Sequence, residues 1–104
     1  IPPFHYMIAL AGGEDIKCAE YATFGTDELS KNIIKALENR CACLMSNHGQ
    51  VAFGKNLDEA FELSQEIENI CQQYVIAIKI GKPKILSFEE MQKVLNKAKD
   101  YKRG

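Results

Sequence analysis

Between Leu57 and Ile78, apolar and small side chains recur every three or four residues, at Leu57, Ala60, Phe61, Ser64, Ile67, Cys71, Tyr74, Val75 and Ile78. That spacing predicts one unbroken helix of about six turns with a single apolar stripe along it. A stripe of this kind has to be covered, so the rest of the chain must supply a second layer. Asn56-Leu57-Asp58-Glu59 opens the helix with a capping-box pattern, and Gly81-Lys82-Pro83 ends it.

The covering layer reads as short strands interleaved with shorter helices. Phe4 to Ala11 is apolar and aromatic enough for a strand buried on both faces, followed by a turn at Gly12-Gly13-Glu14-Asp15. A short strand over Ile16 to Glu20 follows, and the two are compatible with a hairpin. Thr26 offers an N-cap ahead of Asp27 and Glu28, and Leu29, Ile33, Ala36 and Leu37 repeat at helical spacing, which predicts a helix from Asp27 to Asn39. Cys41 to Ser46 reads as a strand, and Gln50 to Gly54 as its return, in a tight hairpin around Asn47-His48-Gly49. Ser87-Phe88-Glu89-Glu90 is a second capping box, opening a last helix with Met91, Val94, Leu95 and Ala98 on one face. The pattern is one small α/β domain, and 104 residues with 46% apolar content suffice for a modest core.

Charge and composition exclude several partners. Thirteen basic residues against fourteen acidic ones leave a formal net charge of -1, so no basic footprint points to nucleic acid or to an anionic membrane. The apolar stretches are interrupted well short of the ~20 residues of a membrane span, and no basic-then-apolar leader is present. A soluble, cytoplasmic protein is expected. Cys41 and Cys43 stand two apart on a strand and share a face, so buried free thiols are a better reading than a zinc knuckle or a disulfide. The chain begins Ile1-Pro2-Pro3 without an initiator methionine, and it is expected to be the later part of something longer.

The candidate chemistry sits at Leu44-Met45-Ser46-Asn47-His48-Gly49-Gln50, where an apolar strand runs out into a turn and Gly49 can take the positive φ that most residues avoid. An imidazole there is held at its base and presented to a cleft, as a metal ligand needs to be. The residues alone leave a second reading open, a hydrogen-bonded turn histidine. Tyr6, in an apolar segment, reads by itself as a core aromatic, and Tyr101 as a fraying end.

Four separated segments carry a resemblance: Ile1-Pro2-Pro3-Phe4-His5-Tyr6-Met7, Tyr21-Ala22-Thr23-Phe24-Gly25-Thr26-Asp27-Glu28-Leu29, Asn47-His48-Gly49, and Leu86-Ser87-Phe88-Glu89-Glu90. Together they resemble the class II aldolase/adducin family, and within it the zinc-dependent L-fuculose-1-phosphate aldolase branch. The resemblance implies a three-layer α/β/α fold around a mixed, largely antiparallel sheet, assembled as a homotetramer with active sites between neighbours. It also implies a Zn2+ ion held by three histidines, of which the one in the Asn-His-Gly turn matches His48. The ion would act as a Lewis acid on a 2-ketose 1-phosphate as its C3–C4 bond breaks, releasing dihydroxyacetone phosphate and an aldehyde.

By the same resemblance, Tyr6 matches a tyrosine that reaches into the adjacent subunit's site as a proton donor, and Tyr101 matches a second tyrosine in the C-terminal tail. A phenol suits that duty because it is a weak acid that stays protonated at neutral pH. His5 matches no zinc position and reads as a structural hydrogen-bonder, and Tyr74 as core. The family's His-x-His pair, catalytic glutamate and phosphate loops have no counterpart in these residues. Residues 1–104 are therefore expected to form the C-terminal half of a single domain, inactive alone and either self-associating or poorly stable. Lys17 and Glu20 also stand where prolines are common in the family. A non-catalytic adducin-like scaffold is the alternative from a different class, and a related sugar-phosphate epimerase or dehydratase is the alternative within enzymes.

Overall fold

The computed structural model describes residues 1–103, with side chains described for residues 1–100. Its central sheet has three short strands, β1 (Cys18–Ala19), β2 (Ala42–Met45) and β3 (Gly49–Ala52), in that spatial order. Among the described residues there are three α-helices, α1 (Asp27–Ala36), α2 (Leu57–Ile80) and α3 (Phe88–Arg103).

The sheet is mixed. β2 and β3 pair antiparallel over four residues, from Ala42 opposite Ala52 to Met45 opposite Gly49. β1 instead pairs parallel with β2, Cys18 opposite Leu44 and Ala19 opposite Met45. Parallel neighbours need a crossover, and α1 provides it between β1 and β2.

Side chains alternate across β2, and this alternation sorts the core into two layers. Ala42 and Leu44, with Ala52 opposite, belong to the cluster formed by Ile8, Ile16, Ile67, Ile70 and Met91. Cys43, with Val51 opposite, faces the other way, to Ala19, Ala36, Ile33 and Leu37. α1 therefore covers one face of the sheet and α2 the other, the α/β/α layering that the resemblance implies.

The segment Phe4 to Ala11 is not a strand, as its composition suggested. Residues Tyr6–Ala11 form a 3₁₀ helix, capped by His5, whose Nδ1 accepts the Met7 N–H at 3.0 Å. A short apolar run carries no period that separates the two forms. Here Ile8 and Ala11, three apart and both fully buried, stack on one side as a three-residue turn requires. Gly12 ends the helix at φ 99°, and the Ala11 carbonyl accepts the Cys41 N–H at 2.6 Å. With no strand there, the hairpin to residues 16–20 does not form.

α1 stops at Ala36, three residues earlier than its periodicity suggested, because Asn39 turns into the left-handed region at φ 57°. Its Thr26 cap forms as expected, Oγ1 accepting the Leu29 N–H at 3.2 Å. α2 has the predicted bounds, with Asn56 Oδ1 accepting the Glu59 N–H at 2.8 Å. Its length is about 36 Å, against about 13 Å for a four-residue strand. The sheet consequently covers only the middle of the helix: Ile67 and Ile70 are buried, while Leu57 is 87% exposed and Phe61, Val75 and Ile78 are open.

α3 is capped by Ser87, whose Oγ accepts the Glu90 N–H at 3.1 Å, and it buries Met91 completely in the cluster that includes the 3₁₀ helix residues Ile8, Ala9 and Ala11. The loop before β1 is fastened by Arg40, only 8% exposed. Its Nε donates to the Asp15 carbonyl at 3.0 Å, Nη1 to the Asn39 carbonyl at 3.1 Å, and Nη2 to Asp15 Oδ1 at 2.7 Å.

Candidate functional site

Ser46 to His48 form the turn between β2 and β3, closed by the His48 N–H donating to the Met45 carbonyl at 3.0 Å. Gly49 takes φ 147°, as its place in the turn required, and Asn47 takes φ 65°, a conformation asparagine tolerates better than most residues. Two paired strands thus hold the backbone on both sides of an exposed imidazole.

The ring itself is fixed by Tyr21 and Ala22, which lie just beyond β1. Nε2 of His48 lies 2.9 Å from the Ala22 carbonyl oxygen. The Tyr21 ring lies parallel to the imidazole, with centroids 5.3 Å apart and planes 8° from each other. In the neutral ring, a nitrogen that donates to a carbonyl carries the proton, so Nδ1 keeps the lone pair. That is the arrangement in which metal-binding histidines are commonly found, one nitrogen donating to a backbone carbonyl and the other free to ligate.

His48 therefore fits the part of one ligand. The described residues do not fit a whole zinc centre, since no group of three His, Cys, Asp or Glu side chains among them converges. The thiols make no substitute. Burial, and then the neighbouring Cys18, push the Cys43 thiol above its usual range. Burial followed by Glu68 does the same for Cys71, with the Ile1 ammonium opposing. All four cysteines are free thiols; of Cys41 and Cys43, both expected to be buried, Cys43 is buried and Cys41 only half-buried, since it lies just ahead of β2.

Tyr6 is not a core aromatic: 58% of its surface is open, and its ring stacks on His5 at 4.8 Å and 26°. It borders an apolar hollow with Met7, Ala9, Leu10, Val94, Lys97 and Ala98. His48 is not among the residues that line this hollow. The Tyr101 side chain lies outside the described residues. His5 is the hydrogen-bonder it was expected to be, and Tyr74 is half-buried against Phe4 at 5.0 Å.

The roles of Tyr21 and of the Ala22 carbonyl were not read from the sequence, because both act on a residue 26 or 27 positions away. Arg40 was missed for the same reason. A lone arginine just before a strand carries no local sign of burial.

Comparison with known proteins follows the same lines. The profile of the class II aldolase and adducin N-terminal domain matches residues 1–75. The chain is 48% identical over 101 residues to a 5-methylthioribulose-1-phosphate/5-deoxyribulose-1-phosphate aldolase of Rhodospirillum rubrum, covering 97% of this chain and 46% of that protein. It is 49% identical over 102 residues to an L-fuculose phosphate aldolase of Escherichia coli, covering 97% of this chain and 47% of that protein. A solved L-fuculose 1-phosphate aldolase superposes with a TM-score of 0.89 at 46% identity, over 94% of this chain and 46% of that one. The chain thus spans about half the length of the relatives it matches.

Proposed function

Because the chain belongs to the class II aldolase and adducin N-terminal domain family, we propose that it forms the C-terminal half of one aldolase domain, which cleaves a 2-ketose 1-phosphate such as L-fuculose 1-phosphate into dihydroxyacetone phosphate and an aldehyde. The observation that carries this reading is His48, an exposed imidazole on a paired-strand turn with one nitrogen held by a backbone carbonyl. Identities of 48% and 49% to aldolases acting on ketose 1-phosphates, spread over 97% of the chain, support the reaction class.

In this reading His48 is one ligand of a Zn2+ site whose other ligands lie outside residues 1–104. Zinc, when bound, supplies a Lewis acid for the oxygens of the substrate. The chain's own contribution is to hold the imidazole at a set position and orientation, which the β2–β3 turn and Ala22 accomplish. Tyr6 is exposed and lines a hollow that His48 does not share, which suits a phenol that donates a proton in the site of a neighbouring subunit of a homotetramer. Tyr101 is assigned the second such role from its match to the family motif. Among the described residues no helix is long and apolar enough to cross a membrane, and a cytoplasmic enzyme acting on phosphorylated sugars is the corresponding location.

The test is release of dihydroxyacetone phosphate from ketose 1-phosphates by the full-length protein that contains this chain, alongside His48→Ala. We expect turnover from the parent protein and at least a ~100-fold loss in the variant. A folded parent protein that cleaves none of these substrates would remove the aldolase reading and leave a scaffold.

A further inference from the structure

Phe4, His5 and Tyr6 are consecutive aromatic residues, and with Tyr74 of α2 their rings form one connected run. Phe4 meets Tyr74 at a centroid separation of 5.0 Å and meets the His5 imidazole edge-on at 6.2 Å. His5 in turn stacks on Tyr6 at 4.8 Å, with planes 26° apart. Tyr74, Phe4 and His5 are half-buried and Tyr6 is exposed, so the run leads from the body of the domain to a phenol at its surface. An exposed tyrosine without such support would exchange among several rotamers.

His5 also holds the backbone around Tyr6. Its Nδ1 accepts the Met7 N–H at 3.0 Å, and its carbonyl accepts the Ile8 N–H at 3.2 Å. The two residues that follow Tyr6 are thus bonded back to the one that precedes it. The segment is moored at both ends, since the Pro3 carbonyl accepts the Leu86 N–H at 2.9 Å and Ile8 is fully buried. Asparagine or aspartate could supply the cap, and phenylalanine could supply the stack. Histidine alone among the standard residues offers an acceptor at the δ position and an aromatic face on the same ring.

We propose that His5 is a positioning residue for Tyr6: its Nδ1 lone pair sets the backbone that carries the phenol, and its ring face sets the direction in which the phenol points. This rests on the reading of Tyr6 as a proton donor in the assembled enzyme. A donor held in one direction before the substrate arrives has less freedom to lose in the transition state, and displacing such a group by about 1 Å can cost on the order of 100-fold in rate.

The experiment is a kinetic double-mutant cycle in the full-length protein. His5→Ala and His5→Asn are each made in the parent and in Tyr6→Phe, and kcat is read from release of dihydroxyacetone phosphate. His5→Asn keeps a capping acceptor and removes the ring. We expect Tyr6→Phe to lower kcat roughly 100-fold. His5→Ala should lower it roughly 10-fold or more and His5→Asn roughly 5-fold, with KM changed less than kcat. In the Tyr6→Phe background both His5 substitutions should change kcat by less than about twofold, because the group they position is gone. A purely structural histidine would lower kcat by the same factor in both backgrounds. That result overturns the proposal, as does parent-like kcat in folded His5→Ala. Should His5→Ala fail to fold, His5→Asn carries the same comparison. If the parent cleaves no ketose 1-phosphate, or Tyr6→Phe is as fast as the parent, the proton-donor reading fails separately. Ring-carbon 13C relaxation of Tyr6 then decides whether His5 holds the phenol: a more ordered ring in the parent than in His5→Asn supports it, and equal order overturns it.

Discussion

Gly13 is buried and sits directly under the Arg40 guanidinium, so that a Cβ added there would overlap its Cζ, Nη1 and Nε atoms. Its backbone is not in the left-handed region, unlike that of Gly12, Gly25 and Gly49, so the demand for glycine at this position is one of space. In Gly13→Ala the guanidinium has to move. It would abandon the Asp15 carbonyl, the Asn39 carbonyl and Asp15 Oδ1, and weaken the approach of Nη2 to Glu14 Oε1 at 3.4 Å. Stranding a buried charge costs about 3–5 kcal/mol. The Asp15 and Glu14 side chains are 40% exposed, which lets water recover part of that and brings the figure to about 2–3 kcal/mol.

A double-mutant cycle in urea isolates the cause. Gly13→Ala is expected to cost that amount in the parent background and under about 1 kcal/mol beside Arg40→Met, where a flexible apolar chain can give way, so the coupling is about 1–3 kcal/mol. Equal costs in both backgrounds would show that the methyl group meets something other than Arg40 and would refute the reasoning.

At the turn, Asn47→Gly should match or slightly exceed the parent in stability, and Asn47→Ala should lose about 1 kcal/mol, because alanine lacks both the ease of φ 65° and the local hydrogen bonding of asparagine. Thermal melting of the two variants distinguishes this from a general intolerance of the turn. Cys43 and Cys71 both hold their protons to higher pH in the folded chain than at the ordinary value of 9.0. Above that value the unfolded chain therefore releases protons first. The stability they contribute is complete below pH 9.0 and is lost as pH rises through the folded values. Urea midpoints should fall with rising alkalinity, and the fall should be shallower in the Cys43→Ala, Cys71→Ala double variant; an unchanged slope would contradict the assignment.

Legibility in the sequence followed the range of the forces involved. Caps are local: Thr26, Asn56 and Ser87 each act on an N–H three residues on, and each was placed correctly. The β2–β3 turn is likewise local, and Gly49 gave it away. The 3₁₀ helix was misread because Phe4 to Ala11 is apolar throughout, so its period is hidden, and the decisive groups are the His5 imidazole and the Cys41 N–H that takes up the Ala11 carbonyl. Parallel pairing of β1 was missed for a related reason, since nothing within Ile16 to Glu20 says which neighbour it will take. The extent of the α2 stripe was visible, but which part the sheet covers depends on strand length elsewhere; Ile70, buried to 2%, fell outside the stripe as read. At the site, His48 could be found from its turn and from the family motif, whereas Tyr21 and Ala22 reach it only once β1 lies beside β2.

The most direct test of the central claim, that His48 helps to hold a zinc ion in the assembled enzyme, is anomalous diffraction at the zinc edge from crystals of the full-length protein. We expect one peak per chain, about 2.0–2.1 Å from a ring nitrogen of His48, the usual zinc–imidazole distance. A zinc-loaded crystal whose peaks all lie elsewhere, with His48 bonded to Ala22 and to nothing else, would contradict it.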